Sequence, residues 1–168
     1  MKKKIETLQA NKEFVRTYDD SKYEKPSVTA DIVIFGIFTS VGNYERETSE
    51  KKLKVLLIQR GAAPFEGCYA LPGGFVHRGE RIEEAAEREL WEETNLNCSF
   101  LEQFGTYSNP DRDPRRWVIS NGFLALICAD YEKIKAGDDA SDAKWFDISF
   151  LKTGEEWLLQ LTHEEDKI

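Results

Sequence analysis

Cysteine, histidine and proline are scarce in this chain: its 168 residues include three Cys, two His and five Pro. Cys68, Cys98 and Cys128 are isolated, odd in number and without metal-ligand spacing, so a disulfide framework and a cysteine-built zinc site are both excluded. They read as reduced thiols of a cytoplasmic protein. No apolar run approaches the length of a membrane span, and the start Met1-Lys2-Lys3-Lys4-Ile5-Glu6 lacks the apolar stretch of a signal peptide, so no membrane partner is expected. Positive charge is also short: 23 Lys and Arg stand against 31 Asp and Glu, for a net charge of -8. That balance argues against a general nucleic-acid binder, which would show a basic face. Internal repeats and low-complexity tracts are absent.

The length fits one domain with a core large enough to need no staples. Residues 1–25 are charged and weakly periodic, with Ile5, Leu8, Phe14 and Val15 as apolar anchors, and read as an arm or short helix. Pro26 separates them from a domain over 26–168. Val28 to Phe38 is a buried strand by its Val, Ile and Phe content. Leu53 to Gln59 returns antiparallel to it after a polar loop, Thr39 to Lys51, that is longer than usual hairpin connections. Asn97 to Tyr107, Trp117 to Ala129 and Lys144 to Ile148 are further strands. Leu151 and Glu155 to Leu161 suggest closing helical turns. The whole is an α+β arrangement.

The informative stretch runs from Gly74 to Leu96, GFVHRGERIEEAAERELWEETNL, behind the turn Leu71-Pro72-Gly73-Gly74. Its second half predicts a helix on which Glu89, Glu92 and Glu93 share a face, because positions i, i+3 and i+4 do. Ile82, Ala85, Ala86 and Leu96 fall on or beside that face, whereas Glu83, Glu84, Glu87, Trp91 and Thr94 lie roughly opposite. The three acids therefore sit on the inward side. Clustered carboxylates near a core repel one another and lose hydration unless a cation sits among them, and oxygen-only ligands suit a hard divalent ion. A solvated Glu-rich helix explains Glu83, Glu84 and Glu87, but not the inward cluster.

Gly74, Glu80, Arg88-Glu89-Leu90, Glu92-Glu93 and Leu96 at this spacing resemble the Nudix box. The six positions of fixed residue type, Gly74, Glu80, Arg88, Glu89, Glu92 and Glu93, match at set spacing by chance about once in 10⁷ starting points. One position departs: Asn95 stands where the box has glycine, and Asn is the usual substitute where a helix ends with φ > 0. A second stretch, Gly105 to Ser120 (GTYSNPDRDPRRWVIS), is similar to the segment after the box in ADP-ribose pyrophosphatase-like Nudix proteins and in the related ADP-ribose-sensing regulators. Ala136 to Ala140 and Lys144-Trp145-Phe146 extend the resemblance, which covers roughly Ser27 to Phe150.

The resemblance implies a Nudix fold, a mixed β-sheet sandwiched between helices, and metal-assisted attack of water on a diphosphate joining a nucleoside to a second group. It places Mg²⁺, with Mn²⁺ able to substitute, on Glu89, Glu92, Glu93 and the Gly73 carbonyl. Arg88 would orient Glu89, and Glu80 would support the box. Glu89, or Asp139 or Asp142 outside the box, is the candidate base. Arg112, Arg115 and Arg116, with Arg60 and Asp139, would bind the substrate, since guanidinium forks match phosphate oxygens; Arg112 and Arg115 rank first.

ADP-ribose, cleaved to AMP and ribose 5-phosphate, is the expected substrate. The alternatives are an ADP-ribose-sensing regulatory domain with little turnover and a pyrophosphatase that cleans nucleoside triphosphates. About twenty residues follow Asp147, too few for the winged helix of the sensing regulators, which argues against direct DNA binding. A homodimer is expected. Tyr69 and Phe75 are open to contact with a base or to packing, Trp91 and Trp145 read as packing or dimer residues, His77 as a loop residue or proton carrier, and His163 as surface.

Overall fold

The computed structural model describes residues 2–40, 50–128, 140–164 and 166–168. Helix α1 spans Lys2–Thr17, and its residues 11–17 are exposed. The strands are β1 (Ser27–Ser40), β2 (Glu50–Arg60), β3 (Tyr69–Ala70), β4 (Gly73–Phe75), β5 (Leu101–Tyr107), β6 (Val118–Cys128), β7 (Ala140–Thr153), β8 (Glu156–His163) and β9 (Asp166–Lys167), with helix α2 (Ile82–Thr94) between β4 and β5. Among the described residues the strands form one sheet in the order β5-β6-β1-β2-β7-β8-β9, with β3 on β2 and β4 on β1. Among the described residues only β1 and β6 run parallel, so the sheet is mixed, as the α+β expectation has it. Among the described residues no helix is long and apolar enough to cross a membrane.

Strand β1 is apolar from Ile32 to Phe38, where both of its faces are covered. Ala30, Ile32 and Ile34 pack toward α2 with Leu56, Ala85, Ala86, Leu90, Phe123 and Trp145. The alternate residues Val33 and Phe35 join Val55, Leu57 and Phe146 in a second cluster. Each fully buried Ile or Phe of this kind stabilises the fold by about 1.5–3 kcal/mol. Trp145 is buried and meets Phe38 edge-on at 5.1 Å, so the packing reading of that residue holds.

The sheet forks, and the fork positions everything that follows. β1 and β2 pair from Ser40↔Glu50 to Ile34↔Leu56 and then part. Beyond that point Thr29–Asp31 of β1 pair with β4, while Ile58 and Gln59 of β2 pair with β3. The turn joining β3 to β4 is wedged in the gap, with Pro72 fully buried and its carbonyl accepting the Ile32 amide at 2.8 Å. The box loop is therefore anchored in the sheet itself.

Three expectations are corrected. The region after Leu151 is a hairpin, not helical turns: β7 and β8 pair from Asp147↔Thr162 to Thr153↔Glu156. Its two-residue loop opens on Gly154 at φ 68°, the glycine-first pattern that tight hairpins favour. His163 is half-buried; its Nδ1 lies 2.9 Å from the Trp145 carbonyl and its ring packs on Phe146. Thr94 is fully buried, its hydroxyl donating to the Leu90 carbonyl at 2.5 Å. The inward face of α2 is thus turned toward Ala86, Leu90 and Thr94, which leaves Glu89 and Glu93 at its border and Glu92 outside it. The middle of the long loop between β1 and β2, residues 41–49, lies outside the described residues.

Helix α2 ends as Asn95 requires: it adopts φ 54°, ψ 24°, and its amide donates to the Trp91 carbonyl at 2.8 Å. Since a left-handed conformation costs a branched residue about 1–2 kcal/mol, Asn95→Val should lower unfolding stability by about that amount, whereas Asn95→Gly should hold or raise it. Urea unfolding of the three proteins measures both.

Candidate active site

A cavity of about 1090 Å³ opens at the fork of the sheet. Thr29, Asp31 and Val33 line it from β1, alternating with the residues that face α2. Gly73, Gly74 and Phe75 line it from the wedge and β4, and Arg88, Glu89, Glu92 and Glu93 from α2. Arg60 comes from the end of β2, and Arg112, Asp113 and Arg115 from the loop after β5. One space therefore gathers the box and the arginine loop, two stretches separated in the chain by strand β5.

Arg88 is the hub of the acidic wall. A guanidinium carries five N–H donors in a rigid fork, and here five bonds are made. Nε and Nη2 grip the Glu80 carboxylate at 2.8 and 3.1 Å. Nη1 bridges Glu89 at 2.7 Å and Glu92 at 2.9 Å, while Nη2 also reaches the Phe75 carbonyl at 3.1 Å. The bonds from Arg88, followed by the His77 amide at 2.8 Å, hold Glu80 far below the usual carboxylate range, at about 2. In return Glu80 first, with Glu89 and Glu92, pushes the Arg88 pKa up. Glu80 and Glu89 are mostly shielded, with side chains 14% and 12% exposed, but Glu92 is 55% exposed.

Two glycines let the carboxylates approach the backbone. The Gly73 amide donates to Glu93 Oε2 at 2.7 Å, and a Cβ at this position, φ 150°, would lie 2.3 Å from the Ala30 carbonyl oxygen. A Cβ on Gly74 would lie 2.3 Å from Glu89 Oε1. Glu89 thus rests against bare backbone.

Among the described residues no three His, Cys, Asp or Glu converge as a ready-made metal cluster. Arg88 draws Glu89 and Glu92 together, and Glu93 turns to the Gly73 amide. The donors are nonetheless three carboxylates on one wall of one cavity, and such a set fits a hard divalent ion. Bringing all three onto one ion asks Glu92 or Glu93 to leave its present partner.

The arginine loop is sorted by its contacts. Arg112 Nη1 donates to Ser120 Oγ at 2.5 Å, Ser120 lies 2.6 Å from Thr29 Oγ1, and Thr29 donates to Asp31 at 3.1 Å. That chain runs along the cavity floor, and sequence reasoning missed it. Its signal was a lone acid, Asp31, inside an apolar strand. Arg115 is held by Asp113 through two bonds, at 3.0 and 2.7 Å, which keep Asp113 at about 2. Arg116 does not line the cavity; its guanidinium stacks on Phe75 at 5.3 Å, with that of Arg115 at 5.6 Å. Arg60 lines the cavity and donates from Nε to the Pro64 carbonyl.

Asp142 is not among the lining residues; it bonds the Ala143 amide and pairs with Lys144 at 3.4 Å. Asp139 lies outside the described residues. Tyr69 packs on Phe146 in the second cluster, with its hydroxyl donating to Asp166 at 2.7 Å, so it serves packing. Trp91 is exposed on the far side of α2.

Comparison with known proteins agrees with this geometry. The chain is 42% identical over 144 residues to a protein of Methanocaldococcus jannaschii named ADP-ribose pyrophosphatase, covering 84% of this chain and 75% of that one. A MutT/nudix family protein from Enterococcus faecalis superposes with a TM-score of 0.76 at 39% identity, over 95% of this chain and 57% of that one. This chain thus spans little more than half of the Enterococcus protein. The NUDIX domain of Shewanella oneidensis NrtR, solved in complex with ADP-ribose, gives 0.65 at 31% identity, over 80% of this chain and 81% of that one. The NUDIX domain family matches residues 38–164, a span that holds the wedge, α2 and the arginine loop, and the chain belongs to that family.

Proposed function

We propose that the chain is a divalent-metal-dependent hydrolase of a nucleoside diphosphate linked to a second group, with ADP-ribose as substrate and AMP and ribose 5-phosphate as products. The observation that carries this reading is the single cavity walled on one side by the box carboxylates and on another by Arg60, Arg112 and Arg115. The name of the archaeal relative and the ADP-ribose in the NrtR structure support the choice of substrate. We assign Mg²⁺, replaceable by Mn²⁺, to Glu89, Glu92, Glu93 and the Gly73 carbonyl. A bound divalent ion supplies charge neutralisation at the diphosphate and lowers the pKa of water.

The chain's own groups do the rest. Arg112 and Arg115 hold phosphate oxygens by charge-assisted bonds, together with Arg60 from the end of β2. Arg88 fixes Glu89 through Oε1, which leaves Oε2 to take a proton from the attacking water. The water oxygen bonds to phosphorus, and the bridging oxygen leaves with the other phosphate. Glu80 positions Arg88 and touches no substrate. The domain spans 26–168 with 1–25 as an arm, in keeping with the exposure of α1; the protein works as a cytoplasmic homodimer, and its net charge of -8 speaks against nucleic acid as a partner.

The NrtR likeness favours a second reading, an ADP-ribose sensor with little turnover. Incubation with Mg²⁺ and ADP-ribose separates the two. Chelator-sensitive release of AMP and ribose 5-phosphate upholds the hydrolase, and tight binding without products selects the sensor.

Glutamine at position 93 can still accept the Gly73 amide, so Glu93→Gln should keep the fold while lowering kcat by about 10²-fold or more. Retained turnover would move the metal assignment elsewhere. Because Glu80 is held at about 2 against an ordinary 4.5, its ionised form stabilises the folded chain above pH 4.5, and that contribution fades as pH falls from 4.5 toward 2. Acid titration of Glu80→Gln should accordingly show a shallower loss of stability across that window than the parent chain.

A further inference from the structure

The β5–β6 ladder contains one irregularity, and it falls beside the cavity. Gln103 pairs with Phe123 and Gly105 with Gly122, so Phe104 is an extra residue with no partner on β6. Bulges of this kind cluster next to active sites, where they re-aim a side chain. In an unbroken strand Phe104 and Tyr107, three apart, would point to opposite faces. Here both line the cavity, together with Ser120 and Gly122 of β6.

The partner strand is shaped to the same end. A Cβ on Gly122 would lie 2.7 Å from the Phe104 Cζ, so the ring lies across bare backbone where any larger residue would displace it. The two rings stand edge to face, 6.3 Å apart at 68°. Each residue is 51% exposed, so nothing in the described chain covers them. On the box side the walls bring the carboxylates of α2, and the loop that follows Tyr107 brings Arg112 and Arg115, with apolar residues such as Val33, Leu71 and Phe75 also lining the cavity. A ligand whose charged part lies along the carboxylates and arginines can set an uncharged, flat part against the exposed aromatic pair.

We propose that Phe104 and Tyr107 form the stacking platform for the nucleobase, so that the β5 bulge, rather than the box, sets the preference for nucleoside-linked substrates. This extends the hydrolase reading by naming its specificity residues. The ring face of Phe104 takes the base, because every base presents a π-face to an aromatic ring, and Tyr107 bounds it edge-on.

Etheno-AMP, whose fluorescence falls when its base stacks, tests the platform without turnover, so the outcome stands even if no hydrolysis occurs. Titration with the parent chain should quench the probe. Phe104→Leu, which keeps an apolar side chain and should melt with the parent, should weaken binding by about tenfold, the size of one lost stacking contact. Phe104→Tyr should bind within about threefold of the parent. In the hydrolase assay Phe104→Leu should raise KM for ADP-ribose by a similar factor, with the smaller part of the loss in kcat. An unquenched probe with the parent chain, or parent-like binding and KM in Phe104→Leu, would overturn the assignment.

Discussion

Everything at this site depends on how a single arginine divides its donors among three carboxylates. Glu80, Glu89 and Glu92 would repel one another at these separations if left alone, and two of them are mostly shielded from water. Arg88 satisfies all three and ties them to the Phe75 carbonyl of the wedge. The acids are thereby held together within the chain, and an ion binding among the box carboxylates would draw Glu92 or Glu93 off its present partner. The same arrangement explains why Glu80 lies outside the helix: it approaches from the loop and takes the side of the fork that α2 cannot supply.

That hub has meaning only because the sheet forks. If β1 and β2 remained paired along their whole length, there would be no gap for the turn bearing Pro72, Gly73 and Gly74, and α2 would pack over a closed ladder. The fork brings the backbone of the turn against Glu89 and Glu93, and it exposes the β1 side chains Thr29 and Asp31 to the cavity. The parallel neighbour β6 then brings Ser120 under Thr29, which links the arginine loop to the floor. Two stretches some twenty residues apart in the chain meet by way of β1.

Much of this was legible in the sequence, and the reasons differ by element. The acids and Arg88 could be read because a helix fixes spacing, and Asn95 because few residues end a helix with positive φ. Strands β1, β2, β5 and β6 followed from β-branched and aromatic runs, whereas the short β3 and β4 were read only as the flanks of a Pro-Gly-Gly turn, being too brief to carry a pattern. The closing hairpin was misread: Glu155-Glu156 and the leucines after them mimic an amphipathic turn of helix, while the decisive signal was the lone Gly154 between two apolar runs. The wheel placed Thr94 outward because it took the acids as the centre of the buried face, when they stand at its border. The bulge at Phe104 left no mark in composition or period, since it exists only in the pairing of two strands.

On the function proposed, the box carboxylates and the arginine loop serve the same ligand in one cavity. Anomalous diffraction at the manganese edge from crystals grown with Mn²⁺ and a non-hydrolysable ADP-ribose analogue tests it most directly. Anomalous density is expected beside Glu89, Glu92 and Glu93, with the analogue's diphosphate between it and Arg112. Density at a site away from α2, or a diphosphate bound out of reach of the arginine loop, would contradict it.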